Sequence, residues 1–120
     1  LARALEHLTF AAEDRIAYMY LSWQDFLDCG ALPEHSEAIV NFALDVQGVK
    51  LAFLARETEL GDVKLSMRAL PPCKVDGIAA ELGGGGHALA AGCTLSMPLE
   101  QAVATIAGMM EKELQTGANA

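Results

Sequence analysis

From Val63 onward, apolar and polar side chains alternate with a period of two. Val63, Leu65, Met67 and Ala69 fall on one side, and Lys64, Ser66 and Arg68 on the other. This is the pattern of a strand with one face in a core and one polar face. Val49 to Arg56 predicts a second strand, and the intervening loop with Gly61-Asp62 predicts a hairpin. Arg15 to Leu21 is almost entirely apolar or aromatic, as expected of a strand covered on both faces. Gly92 to Leu95 predicts a further strand.

Other stretches follow the helical period. Leu5, Leu8 and Ala12 share one face of a helix predicted over Leu1 to Ala12, with charges at Arg3, Glu6 and Glu13. Its abrupt start, with no Met and no cap, suggests a piece of a longer polypeptide. Ser22 and Asp25 have the S-x-x-D spacing of a helix start carrying Trp23, Phe26 and Leu27, which Gly30 and Pro33 break. From Ser36, Ile39, Val40, Ala43 and Val46 recur at helical spacing, while Glu37, Asn41 and Asp45 form a polar row, and Gly48 ends the helix. Val75 to Leu82 predicts a short helix. Ser96, Pro98 and Glu100 start a last helix with a continuous apolar stripe of Leu99, Val103, Ile106, Met110 and Leu114 that docks on the sheet. The fold class is α/β, a single domain with a central mixed sheet of about four to five strands flanked by helices. No internal repeat or linker divides the 120 residues.

Composition narrows the setting. The chain is 52% hydrophobic, yet no apolar run approaches the roughly 18 residues of a membrane span. No leader resembles a signal peptide, and a cytoplasmic protein is expected. Cys29, Cys73 and Cys93 are odd in number and lack CxxC spacing, which favours buried or incidental thiols over disulfides or a zinc ribbon. Nothing in their spacing from His35 and His87 favours a metal site. Sixteen acidic against eight basic residues give a net charge of −8, which opposes tight binding of long nucleic acid. A short ligand needs only a few well-placed donors.

The run Gly83-Gly84-Gly85-Gly86-His87, followed by Ala88-Leu89-Ala90-Ala91-Gly92, is the strongest chemical signal. Ordered glycines are entropically costly, and a common return is close approach of backbone N–H groups to phosphate or carboxylate oxygens. His87 adds a side-chain donor. A helix C-cap explains one or two of these glycines, and a purely structural loop is the alternative. No Lys-Ser/Thr pair follows, as a Walker A loop requires, and the glycines follow a helical pattern where a dinucleotide fingerprint needs a strand. Arg68, projecting from a strand, offers a planar fork suited to phosphate, although a solvated surface arginine has the same pattern. Ser66 shares that face and can donate a hydroxyl. Asn41, on the polar helix row, is either a ligand contact or a solvated side chain. Arg56, beside Glu57, fits a surface ion pair. The acidic residues are scattered, and neither an Asp-His-His cluster nor a G-x-S-x-G elbow is present. The residues describe a ligand-binding α/β domain, incomplete as an enzyme.

In order and spacing, Glu37-Ala38-Ile39-Val40-Asn41, Val63-Lys64-Leu65-Ser66-Met67-Arg68, Val75-Asp76-Gly77-Ile78-Ala79 and Gly83-Gly84-Gly85-Gly86-His87 with Ala90-Ala91-Gly92 resemble the DHH-associated C-terminal domain of the DHH phosphoesterases. The best fit is the nanoRNase and phosphoadenosine-phosphate phosphatase branch. The likeness spans residues 5 to 115, and the glycine-histidine element is its most specific part. It implies a two-domain parent in which an N-terminal catalytic domain holds manganese through Asp and His clusters, while this domain carries no cofactor and grips the substrate across a cleft. Family substrates are very short oligonucleotides, nucleotide bisphosphates or, in the RecJ branch, single-stranded nucleic acid. Arg68, His87 and the amides of Gly83, Gly84, Gly85 and Gly86 become the gripping set by this likeness. Ala69 departs from the pattern, standing where a second serine is expected. The resemblance leaves the 120-residue fragment inactive alone, with no membrane partner and with a homodimer open. Two other classes stay open: a nucleic-acid-binding appendage of the alanyl-tRNA synthetase type, which needs a basic surface, and a dimerisation or regulatory module using the last apolar stripe.

Overall fold

A computed structural model describes residues 8–28, 30 and 35–118. Its centre is one mixed sheet of six strands: β1 (Thr9–Ala11), β2 (Ile16–Leu21), β3 (Leu51–Glu57), β4 (Val63–Ala69), β5 (Gly85–His87) and β6 (Ala90–Leu95). Their spatial order is β1-β2-β3-β4-β6-β5. Among the described residues only the β2–β3 pairing is parallel. Its crossover carries two helices, α1 (Trp23–Asp28) and α2 (His35–Leu44), as a parallel connection requires. The remaining helices among the described residues are α3 (Asp76–Glu81) and α4 (Leu99–Ala118).

Strand alternation splits the core into two layers. Leu51, Phe53 and Ala55 of β3, with Val63, Leu65, Met67 and Ala69 of β4, point to one side, where α3 and α4 cover them. Ala17, Met19 and Leu21 of β2, with Ala52 and Leu54 of β3, point to the other and pack beneath α1 and α2 through Phe26, Ile39, Val40 and Ala43. The expectation of a doubly covered β2 is met. The start of α1 is a reciprocal capping box: Asp25 N–H donates to Ser22 Oγ at 3.0 Å, and Ser22 N–H donates to Asp25 Oδ2 at 3.3 Å. Of the α4 stripe, Ile106, Met110 and Leu114 are buried against the sheet, while Leu99 and Val103 are partly buried against the same core.

Six strands stand where about four to five are expected from the pattern. One extra strand, β1, replaces the end of the helix predicted over Leu1 to Ala12. Thr9, Phe10 and Ala11 pair antiparallel with Tyr18, Ala17 and Ile16. Ala12, Glu13 and Asp14 then adopt positive φ of 54°, 57° and 64°. A helical continuation is impossible through such a turn, which costs each L-residue roughly 1–2 kcal/mol relative to right-handed backbone. The earlier part of that predicted helix, like Cys29 and Pro33, lies outside the described residues. The other extra strand, β5, is built from glycine.

Candidate functional site

On the side of the sheet that α1 and α2 cover, helix packing stops at β3 and the rim of β4. Beyond it β4, β6 and β5 present rows of facing residues. Arg68 lies opposite Ala90, which lies opposite His87; Ser66 lies opposite Gly92, which lies opposite Gly85; and Lys64 lies opposite Thr94. The middle row has only one side chain, a hydroxymethyl group. The result is a flat floor with a cationic edge at Lys64 and Arg68 and an imidazole at the other. Two strand spacings place Arg68 and His87 about 10 Å apart at their backbones. The groove over this floor has a volume of about 530 Å³, and Glu37 from α2 lines it together with these residues.

Arg68 is the best-anchored group in the groove. Its Nε donates to Asn41 Oδ1 at 3.2 Å, Nη1 to the Met67 carbonyl at 2.9 Å, and Nη2 to Glu37 Oε1 at 3.4 Å. Its side chain is only 14% exposed, against 76% for Glu37. Three of the five guanidinium N–H groups are therefore engaged, which fixes the plane of the fork and leaves two without a partner among the described residues. Among the described residues that line this floor, Arg68, Lys64 and His87 face one carboxylate, Glu37, although the whole chain is acidic.

The four glycines separate into different roles. Gly83, at φ +87°, closes α3. Its N–H reaches the Ala80 carbonyl at 3.1 Å and that of Gly84 the Ala79 carbonyl at 2.8 Å, a helix-ending turn. A Cβ on Gly84 would run into the Gly92 carbonyl and Cys93, and one on Gly86 would come within 2.6 Å of Ala91 Cα. Gly85 meets nothing within 4 Å. The segment expected as a ligand-facing loop is thus partly an edge strand, with Gly85, Gly86 and His87 lining the groove and Gly83 and Gly84 outside it. Gly92 is fixed in the same way, since a Cβ there would lie 2.7 Å from the Leu65 carbonyl.

Ser66, Arg68, Gly85, Gly86 and His87 are brought together from the sequence-predicted set. Asn41 stands behind Arg68 and orients it instead of lining the groove. Lys64, Thr94 and Glu37 line the groove without having been singled out as site residues. For Lys64 a signal existed, its place on the polar face of β4; Thr94 becomes visible only once β6 is known to lie beside β4. Arg56 is buried rather than at the surface. It is 8% exposed, with its guanidinium carbon 5.0 Å from the centre of the Phe26 ring, and burial lowers its pKa from the ordinary value. Glu57 instead accepts the Trp23 N–H at 2.8 Å. Cys73 and Cys93 are buried free thiols, both raised in pKa by desolvation. Among the described residues no three His, Cys, Asp or Glu side chains gather as metal ligands, and no helix is long and apolar enough to cross a membrane.

Residues 13–116 match the DHHA1 domain. The chain belongs to the DHHA1 family. Over 88 residues, 72% of its length, this DHHA1 domain is 38% identical to the bifunctional oligoribonuclease and PAP phosphatase NrnA of Thermus thermophilus. It spans only 26% of that relative's length. Among solved structures, an exopolyphosphatase-related protein from Bacteroides fragilis superposes with a TM-score of 0.83 at 25% identity, over 92% of this chain and 33% of the other. The pGpG-specific phosphodiesterase PggH from Vibrio cholerae shares the fold with a TM-score of 0.64 at 11% identity, over 95% of this chain and 37% of its own.

Proposed function

We propose that this DHHA1 domain is the substrate-gripping part of a two-domain phosphoesterase acting on short oligonucleotides or nucleotide bisphosphates. The observation that carries this reading is the joint presence, on one floor that no described helix covers, of a pre-oriented Arg68 with Lys64, Ser66 and His87 around two positions without side chains. A planar fork and an ammonium suit phosphate oxygens, and the bare floor lets a ribose or base lie flat against the backbone. Imidazole at the far edge can hydrogen-bond a second phosphate or stack on a base. The groove is open at the surface, as a site completed by a second domain would be. Support from relatedness comes through the Thermus thermophilus protein, which is a bifunctional oligoribonuclease and PAP phosphatase. In this reading hydrolysis, and any manganese it uses, belongs to an N-terminal catalytic domain of the parent.

Calorimetric titration with a 5′-phosphorylated diribonucleotide and with an adenosine bisphosphate tests this reading. The chain is expected to bind at least one of them, to lose roughly 1.5–3 kcal/mol of binding on Arg68→Ala, or about one to two powers of ten in Kd, and to hydrolyse neither with manganese present. Absence of binding to both, or equal binding by the variant, overturns the grip. Turnover by the purified chain overturns the division of labour.

A further inference from the structure

A carboxylate at the anchor of a phosphate groove can help to orient its arginine, but it repels the phosphate itself. Glu37 is such a carboxylate, 3.4 Å from Arg68 Nη2 and on the rim of the same floor. It is not needed to hold Arg68 in place, because Asn41 and the Met67 carbonyl already fix the guanidinium by closer contacts of 3.2 and 2.9 Å. Glu37 is also exposed, so burial does not hold it there, and its place in the first turn of α2 suits the helix dipole without requiring the contact to Arg68. Beside a bound phosphate its charge is repulsive. Its compensating property is that an ionised carboxylate only accepts hydrogen bonds. A ligand that brings a hydroxyl next to its phosphate turns this unfavourable neighbour into a partner.

Ribonucleotides have that arrangement. The 2′-hydroxyl sits on the carbon adjacent to the one bearing the 3′-phosphate or phosphodiester, so a phosphate on Arg68 carries the hydroxyl to the carboxylate beside it. In a deoxyribonucleotide the repulsion remains and the donor is missing. We infer that Glu37 is a specificity-determining residue of this groove, accepting a hydrogen bond from the sugar 2′-hydroxyl so that ribonucleotides are held in preference to deoxyribonucleotides. The inference rests on the phosphate-gripping reading of Arg68.

The test is a titration of the chain with a 5′-phosphorylated diadenosine ribonucleotide and its deoxy counterpart, for the wild type, Glu37→Met and Arg68→Ala. Methionine has similar length and no comparable acceptor, and at this exposed position the fold is retained, which circular dichroism checks. The wild type is expected to favour the ribonucleotide by about 5- to 20-fold, the size of one charge-assisted hydrogen bond offset by water. Glu37→Met is expected to bring the ratio close to one, with the deoxy ligand bound at least as tightly as by the wild type. A wild-type ratio near one, or an unchanged ratio in Glu37→Met, overturns the role of Glu37 while leaving the grip standing, provided that Arg68→Ala weakens both ligands. If Arg68→Ala weakens neither ligand, the gripping reading fails and the inference fails with it.

Discussion

One face of the sheet is divided between two regions that obey the same alternation and do opposite things. Under α1 and α2 its inward residues are Ala17, Met19, Leu21, Ala52 and Leu54, all buried. Across β4, β6 and β5 the equivalent places hold Lys64, Ser66, Arg68, Ala90, Gly92, Thr94, Gly85 and His87. The first group must be covered to remove apolar surface from water; the second has little apolar surface to hide and its charged members are costly to bury. The helix layer therefore ends where the chemistry changes. The boundary is drawn at Arg68, where the polar row of α2 reaches down through Glu37 and Asn41. The proposed binding floor is a part of the sheet face that no described helix covers.

The largest effect is expected on the covered side. Leu54 is 1% exposed beneath α2, and Leu54→Ala should cost about 2–5 kcal/mol of stability through lost transfer energy and a residual cavity. On the open side, Thr94→Ala should change stability by no more than about 0.5 kcal/mol. Chemical denaturation of both variants measures the contrast. Comparable losses would mean that the open floor is covered in the working protein.

The glycine strand carries the same contrast within three residues. Gly86 has φ +145° and no room for a Cβ against Ala91 and the Ala90 carbonyl. Gly86→Ala should therefore destabilise by roughly 1–3 kcal/mol, the usual cost of a residue held where it is strained. Gly85 has open space. Gly85→Val should leave the fold intact by circular dichroism and melting, with only moderate destabilisation, and abolish binding of the diribonucleotide because the side chain rises from the floor. A folded Gly85→Val variant with wild-type affinity would move the ligand off this floor.

How much of this the sequence showed depended on how local the deciding contacts are. The polar face of β4, the S-x-x-D cap of α1 and the stripe of α4 are written within a few residues, and each stands in the structure as expected. The β1 strand was hidden because Leu5, Leu8 and Ala12 fit a helix, whereas Thr9 to Ala11 owe their conformation to β2. Gly85 to His87 have no hydrophobic pattern to mark a strand, and pair with β6 through a tight hairpin. The assignment of Arg56 to the surface failed for a related reason, since Phe26, which covers it, arrives from another element. The groove was legible in its anchors, Arg68 and His87. Its membership required the order β4-β6-β5, which alone sets Thr94 beside Lys64.

The smallest expected effect lies one residue from the floor, on its reverse. Cys93 stands between Gly92 and Thr94 in β6, so alternation turns its thiol into the covered core while its neighbours face the groove. Burial raises the pKa of this thiol from the ordinary value. A raised value means that the folded chain holds the thiol proton more tightly than the unfolded chain does. That contribution is complete below the ordinary thiol range near pH 8.5, and it is lost as pH climbs from there through the higher folded value. The melting temperature of the wild type should therefore exceed that of Cys93→Ala by a margin that is constant near neutrality and shrinks above about pH 8.5. A margin that stays constant into the alkaline range would show that the Cys93 thiol ionises in the fold as readily as in water, and that the reverse of the floor is as wet as its front.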